Sequence, residues 1–563
     1  MFHPYWRQQA LARLDETFDL IIVGGGITGS GILFDASQRG LKALLVERHD
    51  FAAGTSSRSS KLIHGGLRYL KQMQFRVTRM ACRERDRMLV LNPLLVQPIR
   101  FLYPANRGDK VPGWTVDLGL WMYDRLTSRP EKHTHLEPNE VETLAPGLEL
   151  ENLDRAMAYT DALTDDALLT LAVAATGFAY GGLALTRAEA VECLHGTDGR
   201  LNGVVIRDLE SGRNHRVKGH LIINAAGVWS DQIRHRFGFE TDRLRPSRGS
   251  HIVIPSRRLP IQAALTVPSP EDGRPVFLIP HPEGVLVGTT DVYHEGDLDD
   301  PRPTREEVSY LLAAIISHFP DNDLSEDDIA AAFAGLRPIL DAHTDDPSEA
   351  SREEDIWEEN GLLTVAGGKL TTWRPMAEEA VDEALKYLPD ERARRVAPCL
   401  TDGTALAGLA PPDLASRLAG AYSIAPGVAS GMARRLRSLA WWAPRLAKRK
   451  KELRPLAEGL DLTAAEVRVH LAFGAVLHLE DLLLRRARVG LWSPARVPEL
   501  LPLLRPLFAQ QLGWDRRRWR REETQLQSAL EGWSVAGIRR NDHLVGGEQT
   551  SVTKSPNGDN PSS

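Results

Sequence analysis

The chain has 563 residues, 69 Lys and Arg against 75 Asp and Glu, a net charge of −6, and 42% apolar and 26% charged residues. This length predicts two or more domains, the composition is that of a soluble globular protein, and the mild charge argues neither for nor against an acidic partner. Cys82, Cys193 and Cys399 are far apart and form no C-x-x-C, which sets aside a disulfide framework or a cysteine zinc site and fits a reducing cytoplasm. No metal-ligating set is read from the sequence. No run of about 18 apolar residues is present to span a membrane. The first residues lack the basic-then-apolar pattern of a secretion signal, so no secretion is expected. Peripheral membrane association stays open.

In chain order, residues 1–17 read as a short amphipathic lead-in helix. An apolar run, Ile21, Ile22 and Val23, then reads as a buried strand breaking into Gly24, Gly25, Gly26 and Gly29. This is G-x-G-x-x-G, followed by a helix-compatible stretch to Arg39, Gly40 at a helix C-cap position, and a second strand from Ala43 to Val46 closed by Glu47. Glu47 lies 18 residues beyond Gly29, near the spacing a dinucleotide-binding unit requires. Gly24 allows the tight turn, Gly26 lets a pyrophosphate approach the backbone, and Gly29 lets the helix pack close to the sheet. The unpartnered N–H groups of the helix start favour an anion there, and Glu47 accepts hydrogen bonds from a ribose diol. The motif does not separate FAD from NAD; its position near the N-terminus points to FAD.

Residues 51–70 mix Gly, Ser and the cationic Arg58, Lys61, His64 and Arg68 with Leu62, Ile63, Leu67 and Leu70. Apolar neighbours want burial, and buried cations need anionic partners, so this loop is expected to fold against an anionic ligand rather than lie in solvent. Residues 76–100 are helical in texture. Residues 101–150 read as an excursion into a second domain, and 165–179 as an apolar-periodic helix. Strand-like runs follow at 181–187, 204–208 and 217–224, the last running into Ala225, Ala226 and Gly227. A helix starts at Trp229-Ser230-Asp231 with Ser230 or Asp231 as cap. Residues 245–345 alternate short strands and turns, an antiparallel sheet facing a ligand, with an amphipathic helix at 306–318. A strand at 361–366 enters Gly367-Gly368-Lys369, with a helix from about 372 to 388. Residues 397–410 are a linker and 411–535 are helical. Between 434 and 454, nine basic residues stand against one acid, Glu452, among Trp441 and Trp442. They form a solvated helix face or a surface for anionic lipid or a dimer partner. Residues 541–563 are expected to be disordered.

Taken together, GGGITGSG (24–31), TSSRSSKLIHGGLRYL (55–70), RGSHIVIP (248–255), GTTD (288–291), GLRPIL (335–340), GGKLTTWRP (367–375) and HLEDLLLRRARVGL (478–491) resemble, in the same order, the FAD-dependent, aerobic, quinone-linked glycerol-3-phosphate dehydrogenases. The resemblance covers roughly residues 18–530. It implies an α/β FAD-binding Rossmann-like domain of the glutathione-reductase/D-amino-acid-oxidase type, built from 18–90, 155–240 and 345–395. It adds an antiparallel-sheet substrate-binding domain from 91–154 and 241–344 and an all-α C-terminal domain from 411–535.

The implied activity is oxidation of sn-glycerol 3-phosphate to dihydroxyacetone phosphate, with electrons passing through FAD to a membrane quinone, ubiquinone or menaquinone. FAD, held non-covalently, is expected on Gly24, Gly25, Gly26, Thr28, Gly29 and Glu47, on Thr55, Ser56, Ser57, Lys61, Leu62, His64, Gly65 and Gly66, on Ala226 and Gly227, and on Gly368, Lys369, Leu370 and Thr371. Arg68, Tyr69, Arg337, Lys369 and Thr371 are the expected substrate contacts. His251, Arg337 and Lys369 are the expected catalytic residues. His251 is the first choice for the base because imidazole titrates near neutral pH; by itself it reads as a core histidine at a strand start. Arg337 beside the hydroxyl would instead orient it and lower its pKa, with a different base. Asp291 is expected to anchor a loop near the site. A homodimer on the inner face of the cytoplasmic membrane is expected, with no nucleic acid. Competing readings are an O2-using glycerophosphate oxidase, an amino-acid or 2-hydroxy-acid oxidase, and a non-catalytic FAD-binding redox sensor or scaffold.

Overall fold

The computed structural model describes residues 2–67, 73–129, 131–341, 344, 354–535 and 538. Its first sheet grows around the strand Thr17–Val23, flanked in parallel by Ala43–Glu47 and Asn214–Asn224. Leu183–Thr186 extends the parallel run on one side and Leu362–Ala366 on the other. These strands are near-continuous aliphatic runs because helices cover the sheet and both faces are buried. Asp355–Glu359 closes one edge antiparallel, and the hairpin of Ala188–His195 and Leu201–Asp208 pairs onto Asn214–Asn224. The helix Ile27–Gln38 leaves the central strand at the glycines. It stops at Arg39, and Gly40 takes the expected left-handed conformation with φ +85°. Gly31 meets Trp373 and Ala377, and Gly177 meets Leu33 and Phe34, so helices Asp166–Ala179 and Trp373–Leu385 pack closely on it.

The second sheet has ten strands. It is antiparallel as expected, save that Ala264–Pro268 lies parallel to Val96–Asn106. Several boundaries differ from the sequence reading. Helix Phe75–Leu91 ends at Asn92 ahead of Pro93, and residues 96–100 are already strand, because the residue before proline leaves the α region. Strand Leu153–Thr164, which the domain division cuts at 154/155, lies whole in the second sheet, and Leu62–Ile63 joins it there. Helix Ser230–Arg236 has no side-chain cap; Asp231 instead accepts the backbone N–H groups of Arg243 and Leu244 and turns the chain toward the second sheet.

Beyond residue 411 the described chain is helical, including Pro426–Leu436, Ala464–Phe473, Val497–Leu512 and Arg516–Glu531 around their own apolar clusters. The expectation for 541–563 falls outside the described residues. The 478–491 segment joins this unit to the first domain through buried charge. Asp50 accepts from Arg485 at 2.5 Å and from both terminal nitrogens of Arg486, at 2.7 and 2.8 Å. Asp481 accepts from Arg187 at 2.6 Å and from Arg485 at 2.7 Å. Removing one member leaves a buried charge uncompensated, which typically costs about 3–5 kcal/mol.

His478 bridges the same interface, Nε2 to Glu210 at 2.9 Å and Nδ1 to Glu522 at 3.0 Å. Burial opposes its charge, but the two carboxylates outweigh it and push its pKa up to about 9. A raised folded-state pKa means stability fully present below the unfolded value of about 6.5 and lost as pH rises toward 9. Thermal midpoints measured across that window are therefore expected to fall with pH in the native chain and to fall less in His478→Gln.

Candidate active site

A cavity of about 1040 Å³ runs from the end of the central strand to the face of the second sheet. At its first end the chain reverses at Gly24, whose φ is +116° and whose Cβ would collide with the Ala225 carbonyl. Gly26 opens the helix Ile27–Gln38 with no side chain of its own over the first turn; a Cβ there would meet only Ser56 Oγ, at 3.3 Å. Ser56 Oγ accepts the Ile27 N–H at 2.9 Å. Gly29 answers to packing, since a Cβ would run into the Gly24 carbonyl oxygen. Glu47 accepts the Gly25 N–H at 2.7 Å and the His49 N–H at 2.6 Å, which locks its carboxylate at the cavity wall. Gly25 is glycine because the Glu47 side chain lies across it. Each carboxylate oxygen keeps a second lone pair for a ribose hydroxyl. Open helix start, closely approachable backbone and fixed acid together fit the adenosine and pyrophosphate of a dinucleotide.

At the other end, Ser247–Ile254 and Ala331–Arg337 are paired strands that carry His251 and Arg337 to the cavity. Arg337 is held by Asp291 at 3.0 Å, Ser247 Oγ at 3.1 Å, Thr289 Oγ1 at 3.1 Å and the Thr290 carbonyl at 3.2 Å. Gly249 must be glycine, because a Cβ would overlap this guanidinium. Asp291 also accepts from Ser247 Oγ, so the expected loop anchor buttresses the arginine directly. His251 is buried, stacked on Phe333 at 5.0 Å, with Ser60 Oγ 2.9 Å from Nε2. Burial, then the cations Arg337 and Lys61, hold its pKa down to about 3, so the ring is neutral at physiological pH. Lys369 and the short turn Leu370–Thr372 lead into helix Trp373–Leu385 at the same cavity. Gly367 and Gly368 have φ of +79° and +76°, and a Cβ on Gly368 would press into Met376 at 2.5 Å.

Most of the residues read from the sequence converge here. Gly24, Gly26, Thr28, Glu47, Thr55 and Ser56 line the cavity; so do Leu62, His64, Ala226 and Gly227, and Gly368, Leu370 and Thr371 with Lys369. Thr55 Oγ1 donates to the Leu336 carbonyl at 2.6 Å, and Thr371 Oγ1 accepts the His64 N–H at 3.2 Å. Others do not line it. Lys61 is a correction: its ammonium is fully buried on Asp166 at 2.8 Å and the Ser57 carbonyl at 3.2 Å, so the anion it needed is the protein's own. Burial and Arg488 push its pKa down to about 8. Arg58 does line the cavity, with its guanidinium turned to the carbonyls of Pro301 and Ala334 and the ring of Trp533. Gly65 lies under Tyr123 and Cys82, and Gly65, Gly66, Gly25, Gly29 and Ser57 stand behind the wall. Arg68 and Tyr69 fall outside the described residues. The reading missed Ser60, the Thr289–Thr290 pair, and the wall of Phe101, Tyr103, Tyr159 and Phe277. The alternation of strand 96–106 carried a signal for Phe101 and Tyr103, and Ser60 and the Thr289–Thr290 pair lie inside the 55–70 and 288–291 motifs without having been assigned a role.

Fold and cavity define a flavin-dependent oxidoreductase. Residues 19–369 match the family described as FAD dependent oxidoreductase, and residues 399–519 match the C-terminal domain of alpha-glycerophosphate oxidase. An aerobic glycerol-3-phosphate dehydrogenase of Staphylococcus saprophyticus is 38% identical over 398 residues, 70% of this chain and 72% of the relative; one from Staphylococcus aureus matches to the same extent. The solved glycerol-3-phosphate dehydrogenase of Bacillus halodurans, complexed with FAD, superposes with a TM-score of 0.77 at 28% identity, over 94% of this chain and 98% of that one. An L-alpha-glycerophosphate oxidase of Mycoplasma pneumoniae shares the fold, with TM-score 0.50 and 21% identity over 65% of this chain and 94% of its own. The chain belongs to the family of FAD-dependent aerobic glycerol-3-phosphate dehydrogenases.

The Gly29–Gly24 contact sets a direct test. Gly29→Ala overpacks the turn by about 1–3 kcal/mol and is expected to purify with little flavin absorbance. Gly420→Ala, where an added Cβ meets nothing within 4 Å, is expected to keep it.

Proposed function

We infer that this protein oxidises sn-glycerol 3-phosphate to dihydroxyacetone phosphate and passes the electrons to a membrane quinone. The observation that carries the substrate reading is Arg337, fixed by four hydrogen bonds in the cavity that also holds His251 and Lys369. A phosphate dianion calls for such preorganised cations, and their rigidity sets the alcohol's orientation. Bound FAD would supply the two-electron acceptor for the hydride on C2. The chain's part is to hold the phosphate on Arg337 and Lys369 and to receive the hydroxyl proton on the neutral imidazole of His251. Ser60 at Nε2 keeps that ring in place. Since Arg337 and Lys61 are among the forces depressing its basicity, an arriving phosphate offsets them and raises the imidazole's affinity for the proton.

The acceptor reading rests on surface chemistry. Helix Gly113–Tyr123 sends Thr115, Val116, Gly119 and Met122 to the cavity, exposes Trp114 and Trp121, and places the half-exposed Leu118 at the cavity rim between them. An exposed apolar stripe on the helix that walls the redox site suits an isoprenoid quinone at a lipid interface. Of the nine basic residues at 434–454, Arg434 pairs with Glu283, and Arg435 and Arg437 are buried; Arg445, Lys448, Arg449, Lys450, Lys451 and Arg454 are exposed near Trp442. That surface suits anionic lipid. Among the described residues no helix is long and apolar enough to cross a membrane, which leaves attachment peripheral in this reading.

Steady-state assays with glycerol 3-phosphate are expected to show turnover with a water-soluble ubiquinone analogue and little peroxide in air. Fast peroxide formation without quinone would favour the oxidase reading. Arg337→Ala is expected to keep its flavin and lose on the order of 10²-fold or more in kcat/KM; a colourless Arg337→Ala protein would remove the residue from substrate chemistry.

A further inference from the structure

Apart from the flavin cavity, one cluster among the described residues has the composition of a metal site. Asp117 on helix Gly113–Tyr123 faces His133 and His135 at the edge strand Thr134–Leu136. One ligand atom from each lies within 4.8 Å of the others. His133 Nε2 is 3.0 Å and His135 Nε2 is 2.8 Å from the same oxygen, Asp117 Oδ1. Behind them Asp124, two helical turns beyond Asp117 and so on the same face, accepts from His133 Nδ1 at 2.7 Å and from the His133 backbone N–H at 3.2 Å.

We propose that Asp117, His133 and His135 form a binding site for a divalent cation of the zinc class, with Asp124 orienting His133. The ligand set is two imidazoles and one carboxylate, which suits zinc and its transition-metal neighbours; calcium and magnesium prefer oxygen. Zinc bonds to such ligands at about 2.0–2.2 Å, which puts tetrahedral ligands about 3.4 Å apart. The two Asp117–imidazole spacings of 3.0 and 2.8 Å need to open by a few tenths of an ångström, and the two imidazole nitrogens lie within 4.8 Å of each other. Asp124 on Nδ1 fixes the tautomer that leaves the Nε2 lone pair of His133 for the metal, the carboxylate–histidine–metal arrangement.

Charge agrees. Asp117, Asp124 and Asp154 face Arg155, whose nitrogens lie 3.6 Å from Asp117 and 3.2 Å from Asp154, and Lys132, which donates to the Asp124 carbonyl at 3.0 Å. With neutral imidazoles the cluster carries one net negative charge. Exposure leaves a further coordination position to water: the His133 side chain is 15% exposed and the His135 side chain 60%. The helix that supplies Asp117 also walls the flavin cavity, so the metal pins that wall to the edge of the second sheet. No step of the oxidation uses it.

The test is zinc binding by the tag-free, FAD-loaded full chain, first stripped with chelator and then titrated with zinc by calorimetry and by metal analysis after gel filtration. One tightly held zinc per chain is expected, with a raised thermal midpoint. His135→Ala, a change at an exposed position, is expected to abolish that site, and Asp124→Asn to weaken it about 10–100-fold. Both are expected to leave flavin content unchanged. Failure of the native chain to retain zinc overturns the proposal. Retention of the same affinity in His135→Ala also overturns it, by placing the metal elsewhere. Because the readout is metal content rather than turnover, it stands or falls apart from the substrate assignment.

Discussion

A single buried carboxylate, Asp166, holds the active-site loop to the rest of the molecule. It begins helix Asp166–Ala179 of the first domain, and its oxygens take Lys61 and Arg488 together with the backbone N–H and hydroxyl of Ser59. Burial alone would raise its pKa; Lys61 and Arg488 reverse this and hold it below the usual carboxylate range. A charge so enclosed is tolerable only with every partner present. The consequence reaches the chemistry. Ser59 and Lys61 are clamped on either side of Ser60, and Ser60 bonds the ring of His251. Arg488 comes from the helical C-terminal unit, so that unit helps to set the loop although none of its residues lines the cavity.

This arrangement explains the density of cations in the 55–70 and 478–491 segments. Two of the four cationic residues in the first segment, Arg58 and Lys61, are absorbed by carbonyls, an aromatic face and Asp166. In the second segment, Arg485 and Arg486 converge on Asp50 and Arg488 on Asp166. In the proposed function the cations for a phosphate come instead from separate elements, Arg337 at a strand end and Lys369 at a strand-to-helix turn. Arg337, on the end of a paired strand, is the more rigidly placed of the two.

What was legible in the sequence follows from locality. Gly24, Gly26, Gly29 and Gly40 could be assigned because each answers to a backbone demand set by its immediate neighbours. The aliphatic runs of the central strands could be read because a strand covered on both faces has a distinctive composition. The principle that buried cations need anions was sound for Lys61, but sequence holds no information on which anion, and Asp166 lies 105 positions away. Ser60 beside His251 and the four-point clamp on Arg337 depend on the same long-range pairing. The domain division failed at Leu153–Thr164 because a strand's sheet membership is decided by its partners rather than by its own residues. Asp117, Asp124, His133 and His135 passed unnoticed for a related reason: the i, i+7 and i, i+2 spacings are unremarkable until the turn between them sets the two faces together.

The central claim is that one cavity brings flavin, a phosphate-holding arginine and a proton-accepting imidazole together for oxidation of glycerol 3-phosphate. Rapid anaerobic mixing of the flavin-loaded protein with glycerol 3-phosphate, followed in the oxidised flavin band, tests it most directly. The account predicts prompt and complete bleaching with glycerol 3-phosphate and none with glycerol, which lacks the phosphate. An unchanged flavin spectrum with glycerol 3-phosphate, or equal bleaching by glycerol, would contradict it.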